Sequence, residues 1–211
     1  MSDLITTRRA LHGVAETVLA GPQYRRSGTI RLAITSGGFR TIAEPDLRVE
    51  GTDLVSGERV LPLDGTTCRR LAAAAGVDAG APEDLYKDGS GIGLDDALGV
   101  DPDAAARLEA SFTMGAEALR RLAPAAEPVL WPEHFDVGVT LDEVNYGISP
   151  GDGYLDEPYA YAGPWRPRNG SFWNAPFGAT RPLRELPDPD AIHRFLAEAR
   201  ERASADPVRE S

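Results

Sequence analysis

Residues 131–173, WPEHFDVGVTLDEVNYGISPGDGYLDEPYAYAGPWRPRNGSFW, hold the clearest strand pattern in the chain. Polar and apolar side chains alternate along it with the period of a strand that has one wet face. Phe135, Val137, Val139 and Leu141 fall on one side, and His134, Asp136, Thr140 and Asp142 on the other. The following runs group Asn145, Gly147 and Ser149, then Glu157, Tyr159 and Tyr161. Strands are therefore expected over 135–141, 144–149, 158–162 and 172–177. If neighbouring strands pair in register, a His, several carboxylates, an amide and two phenols share one surface.

Further strands are expected upstream over 29–35, 39–43, 47–50 and 59–63, separated by the turn cues SGG, EPD and VSGE. Helical spacing of Leu11, Val14, Ala15 and Val18 predicts a first helix capped near Thr6 or Thr7 and stopped by Gly21 and Pro22. Residues 64–67 can cap a short helix through Leu71 and Ala75, and 76–100, rich in Gly, Asp and Pro, read as a connection. Asp101–Pro102 and Asp188–Pro189 are strong helix starts, because Asp accepts free amide hydrogens and Pro has none to lose at the first position. The first leads a seam of Ala105, Leu108, Phe112, Gly115, Leu119 and Leu122, the second a stripe of Ile192, Phe195, Leu196, Ala199 and Ala203. The tail beyond Ala203 has few apolar residues and is expected to fray.

Runs of strands bounded by helices predict an α+β fold, an antiparallel sheet flanked by helices. The chain reads as a single domain, 1–211, in which the order helix, strands, helix occurs twice. That repetition makes 1–100 and 101–203 candidate halves, although they share no alignable pattern.

Composition narrows the function. The chain has 211 residues, 42% hydrophobic and 26% charged, with no apolar run near the roughly 20 residues a membrane span needs. A formal charge of −11 and scattered Arg residues argue against nucleic acid as partner. The polar N-terminus does not read as an export signal and Cys68 is the sole cysteine, which together lead us to expect a cytoplasmic protein. Lys87 is the only Lys, and the abundance of Arg, Ala, Gly and Pro resembles proteins of GC-rich actinobacterial genomes.

His134 is the foremost acid–base candidate, with Asp136 to orient it and Asn145 or a phenol to stabilise developing charge. A structural hydrogen bond is the plainer role for the same His. Trp131, Glu157, Tyr159, Tyr161, Trp165, Trp173 and Asn174 are candidate ligand-binding residues, since pockets combine aromatic walls with a few polar groups. The wet face of an antiparallel sheet is the alternative reading of that surface. Asp152, Asp156 and Glu157 form an acidic turn, and Arg166 and Arg168 could hold a carboxylate or phosphate.

No metal or organic cofactor is expected. His12, His134 and His193 lack two-His ligand spacing, and the run from Asp88 fails as a calcium loop, with Ile92 and Gly99 where oxygen ligands belong. Phosphate-loop, dinucleotide-binding and serine-elbow motifs are absent. Cys68 reads as a small core residue.

The segments LWPEHFD, VNYGISPGD, EPYAYAGPW and FWNAPFGA resemble, in that order, motifs of a group of uncharacterised actinobacterial proteins. The likeness extends upstream through GTIRLAITSGGF and LRVEGTDLV. It implies a shared fold in which the motifs form one structural unit, and it supplies no reaction. Glu133, Tyr146, Ser149 and Asp152 join the residues above as part of the resemblance.

The expected function is binding of a small polar or aromatic ligand on the His/Asp/Tyr/Trp face, with cofactor-independent hydrolysis or isomerisation as the reaction class if the protein is an enzyme. The competing expectation is a noncatalytic protein-interaction or scaffold domain using the aromatic loops around Trp165 and Phe172.

Overall fold

The computed structural model describes residues 3–86 and 89–209; Asp88, where the glycine-rich run begins, lies outside them. The fold is α+β with antiparallel sheet throughout. The chain forms two compact units, one running through Ala110 and including Val129–Phe135, the other comprising Ser111–Pro128 and the chain from Asp136 onward.

The first unit opens with a continuous helix made of α1 (Asp3–Val14), a π-helical segment (Ala15–Ala20) and α2 (Gly21–Ser27). Contrary to the sequence expectation, Gly21 and Pro22 do not stop it. The wider π turn sends the Gly21 amide to the Glu16 carbonyl, five residues back. In that register the acceptor facing Pro22, which has no amide hydrogen, is the Thr17 carbonyl, and Gly80 N–H fills it from outside at 2.9 Å. The fully buried Gln23 then uses both ends of its amide: it donates to the Thr29 and Arg31 carbonyls at 3.0 and 2.9 Å and accepts from the Ile42 and Ala43 amides at 2.6 and 2.9 Å.

Five strands follow as a meander: β1 (Leu32–Thr35), β2 (Gly38–Thr41), β3 (Arg48–Glu50), β4 (Asp53–Ser56) and β5 (Arg59–Pro62), each pairing with the next. The four-residue β4 escaped the sequence reading because so short a run, beside Gly51 and Gly57, looks like loop. Thr67 caps α3 (Cys68–Ala75) by accepting from the Arg70 amide. No helix or strand occurs among the described residues of 77–100. The other missed strand, β6 (Val129–Trp131), pairs with β1 through Leu32 and Leu130.

Asp101 accepts from the Ala104 amide at 2.8 Å and starts α4 (Pro102–Leu122), which passes from the first unit into the second. The second unit's sheet is a meander of β7 (Asp136–Leu141), β8 (Val144–Ser149), β9 (Tyr159–Pro164) and β10 (Ala179–Pro182). Asp188 accepts from the Ala191 amide at 2.7 Å and caps α5 (Pro189–Ala205), whose buried residues include Ile192, Phe195, Leu196, Ala199 and Ala203. Ile148 packs on α4 at Gly115, where a Cβ would stand 2.1 Å from its side chain.

Two further expectations need correction. Residues 172–177 form turns rather than a strand, because Phe172 packs on Phe195 of α5 at 5.8 Å and Asn174 spans Thr180 with two hydrogen bonds. The tail does not fray between Ala203 and Arg209, and residues 210–211 of that expectation lie outside the described residues. Val208 bridges to Arg168, the Asn169 amide reaches the Pro207 carbonyl at 2.9 Å, and the Arg209 amide reaches the Pro167 carbonyl at 2.8 Å.

Candidate functional site

Strand parity sorts the side chains of β7, β8 and β9 into two sets. The registers Val137↔Ile148, Val139↔Tyr146, Tyr146↔Ala162 and Ile148↔Ala160 put apolar residues on the helix-covered face. Gly138↔Gly147, Thr140↔Asn145, Gly147↔Tyr161 and Ser149↔Tyr159 belong to the other face, as does Asp136 two residues before Gly138.

On that face Tyr161 lies flat across β8 and β7. A Cβ at Gly147 would stand 2.5 Å from the Tyr161 Cζ and hydroxyl, and one at Gly138 3.3 Å from the hydroxyl. The two glycines are the floor over which the phenol reaches Asp136 and donates to its Oδ2. Asp136 is only 8% exposed. Beside it Tyr159 donates to Asp152 Oδ2 at 2.6 Å. Burial pushes the Tyr159 hydroxyl well above its ordinary value and Asp152 adds to the rise, so it remains a donor. Asp152 is fixed by accepting the Tyr154 and Leu155 amides at 2.8 and 3.1 Å.

An aromatic row crosses this face. Tyr161 and Tyr159 meet at 6.4 Å, Tyr159 and Tyr154 at 6.3 Å, and Tyr154 and Phe177 at 5.3 Å, all near edge-to-face. Tyr154 and Phe177 are exposed, whereas Tyr159 is buried. Further along, Asn145 Oδ1 accepts from Thr140 at 2.8 Å and from the Trp165 indole at 3.3 Å, and Trp165 is 62% exposed.

The remaining candidates lie elsewhere. Phe135 takes a left-handed conformation, φ 54°, which breaks the strand alternation. Its ring turns inward, stacking on His12 at 5.4 Å and meeting Phe39 edge-on at 5.6 Å. His134 is consequently an exposed turn residue of the first unit, not a member of the β7 face. Trp131, at the end of β6, is covered by the Arg31 guanidinium at 5.5 Å. Glu157 pairs with Arg184. Trp173 donates to Asp206 at 2.9 Å and Asn174 clamps its own loop, so both serve the segment that docks on α5 and the tail.

Sequence reasoning passed over a polar cluster in the first unit. Glu16, buried within the π-helical segment, accepts from Ser90 N at 3.0 Å and Ser90 Oγ at 2.7 Å. The Tyr86 hydroxyl lies beside this carboxylate without a well-formed hydrogen bond, and burial and Glu16 both raise its pKa. With Thr17, Pro82, Ile92 and Leu94, these residues line a cleft of about 610 Å3. Burial also raises the pKa of the neighbouring Cys68 thiol, in keeping with a core residue. The sequence signal was the spacing of His12 and Glu16, four residues apart on one helix face.

His12 donates its Nε2 hydrogen to the Pro132 carbonyl at 2.7 Å. Burial holds its pKa below the ordinary 6.5, against smaller opposing pulls from Pro132 and Glu16. Between 6.5 and that depressed value the unfolded chain binds more protons, so stability contributed by neutral His12 falls as pH falls through this window. We expect His12→Gln to flatten that part of the stability–pH curve measured by urea unfolding. An unchanged slope would remove His12 from the account.

Among the described residues no group of three or more His, Cys, Asp or Glu is arranged to hold a metal ion, and no helix is long and apolar enough to cross a membrane. No protein-family model, curated protein or solved structure matches this chain.

Proposed function

We propose that the second unit binds a small polar or aromatic ligand on the sheet face carrying Asp136, Asn145, Tyr159 and Tyr161. The observation that carries this reading is the enclosed Asp136 carboxylate, hydrogen-bonded by Tyr161 over a floor of two glycines. A carboxylate held this far from water is costly unless it is bonded, and enclosed polar groups beside aromatic rings are what ligand sites are made of. Asp136 and Asp152 give the surface a negative field, which favours a neutral or cationic ligand. Tyr154, Phe177 and Trp165 offer rings for stacking, and Asn145, whose oxygen is occupied, keeps its amide hydrogens for a ligand acceptor. If the site is catalytic, the Asp136–Tyr161 pair is the proton-transfer group, consistent with hydrolysis or isomerisation without an organic cofactor.

The noncatalytic interaction surface stands as a second reading, favoured by the exposure of Trp165, Tyr154 and Phe177 at 62%, 47% and 42%. Phenethylammonium and phenol, titrated against tryptophan fluorescence and thermal stability, separate the two. The ligand reading expects saturable binding, weakened about tenfold or more in Asp136→Asn because a charge-assisted bond is lost. Equal affinity in that variant, or no saturation together with concentration-dependent self-association of the protein, would turn the assignment to an interaction surface.

A further inference from the structure

A separate cleft of about 730 Å3 opens on the helix-covered side of the same four-stranded sheet, between the β7–β8 turn, α5 and the loop after β9. Its charge is unlike that of the chain as a whole. Four guanidiniums, those of Arg121, Arg166, Arg168 and Arg200, and the His193 imidazole line it, against Asp142, Glu143 and Glu201, in a protein of net charge −11.

Three of the Arg residues have carboxylate partners near the rim. Arg121 pairs with Asp190, Arg200 with Asp142 at 2.9 Å, and Arg166 with Glu143 at 3.7 Å. All these groups are substantially exposed, so the pairs are weak and readily exchanged. Arg168 differs. Its Nε donates to the Ala203 carbonyl at 2.8 Å, which fixes the guanidinium, while its Nη1 is enclosed and has no acceptor among the described residues. The Tyr146 hydroxyl is in the same condition: the residue is fully buried, it lines the cleft, and its oxygen has no hydrogen-bond partner among the described residues.

Two enclosed donors without acceptors in one cleft need an explanation, since a buried polar group left unpaired is destabilising. We propose that this cleft is a binding site for a small organic oxyanion, a phosphate ester or a carboxylate, with Arg168 and Tyr146 as its buried donors and Arg166 and Arg200 as guanidiniums that close over it. Arg suits such a ligand because its planar fork matches paired oxygens. Tyr146 remains protonated and able to donate: burial pushes its hydroxyl up to about 12, with Arg200 pulling it down and Asp142 pushing it up. The cleft exceeds what inorganic phosphate fills, and Leu122, Val144 and Ala197 line the space left for a small apolar body.

Isothermal titration calorimetry at low ionic strength with phenyl phosphate, benzoate and inorganic phosphate, against sodium chloride at matched ionic strength, tests this. The wild-type protein is expected to bind at least one organic anion saturably; tighter binding of phenyl phosphate assigns a phosphate ester, and tighter binding of benzoate a carboxylate. Arg168→Met should weaken that binding about 10- to 100-fold and Tyr146→Phe about tenfold, while Arg26→Met, a change at an exposed Arg elsewhere, should not. Tyr146→Phe also removes a hydroxyl with no partner to lose, so the Tm of the free protein should hold or rise. It keeps the test valid if Arg168→Met fails to fold. Binding no stronger than the chloride control, affinity unchanged in Tyr146→Phe, or a lowered Tm in that variant would each overturn the proposal.

Discussion

Replacing Gly147 by Ala is expected to drive Tyr161 off the sheet face and to lower stability by about 2–4 kcal/mol. The added Cβ would stand 2.5 Å from the Tyr161 Cζ and hydroxyl and 2.7 Å from Cε1, separations no real pair of such atoms adopts. The ring must move, and moving it withdraws the hydroxyl from Asp136, so an overpacking cost and the loss of a charge-assisted bond arrive together. Tyr161→Phe isolates the second part. It keeps the ring over the glycines and removes only the hydroxyl, at a cost of about 1–3 kcal/mol. A double-mutant cycle isolates the first: in a Tyr161→Ala background the obstructing ring is gone, and Gly147→Ala should cost far less. Urea unfolding of the four proteins gives the coupling directly. If Gly147→Ala costs the same in both backgrounds, the glycine is not there to seat Tyr161.

That face is also where sequence and structure can be compared most directly. Alternation along residues 136–149 and 159–161 is enough to group Asp136, Asn145, Tyr159 and Tyr161, because β7, β8 and β9 pair in an unbroken antiparallel register and parity then propagates across the sheet. The antiparallel class and the helix starts at Thr67, Asp101 and Asp188 were legible for similar local reasons: each depends on residues a few positions apart. His134 was misplaced because one backbone torsion decides the matter. Phe135 looks like the first apolar residue of a strand, but it takes a left-handed φ and its ring packs on Phe39 and His12, far away in sequence. The ordered tail eluded the reading for the same reason, since Pro207 and Arg209 are held by backbone bonds to residues about 40 positions upstream. The Glu16 cluster left only a four-residue spacing within the first helix, and nothing local in the sequence connects it to Ser90.

Gly21 is the sharpest case, and it carries the other large expected effect. A Cβ at this position would stand 1.7 Å from the Gly80 carbonyl oxygen and 2.8 Å from its carbon. Unlike a flexible side chain, that carbonyl cannot swing aside, because the same residue's amide supplies the hydrogen bond to the Thr17 carbonyl that the π turn leaves open. Gly13, four residues before Thr17, meets the same connection at Ile92, so Gly13, Thr17 and Gly21 make a narrow stripe against which Gly80 and Ile92 are laid. A glycine–proline pair that reads as a helix terminator is therefore a close-packing device: Pro22 removes the competing donor and Gly21 removes the side chain. Gly21→Ala is expected to cost on the order of 3 kcal/mol or more, combining overpacking with the strained or broken Gly80 bond. In a chain of this size that corresponds to a fall in Tm of roughly 6–12 °C. Gly28→Asn provides the contrast, because Gly28 is left-handed at φ 73° with open space around it, and Asn tolerates that conformation at a cost of at most about 1 kcal/mol. Hydrogen exchange adds the spatial readout: protection of the Gly80 amide should be lost in Gly21→Ala and kept in Gly28→Asn. A Gly21→Ala protein with wild-type Tm and a protected Gly80 amide would show that the helix passes its proline by some other means.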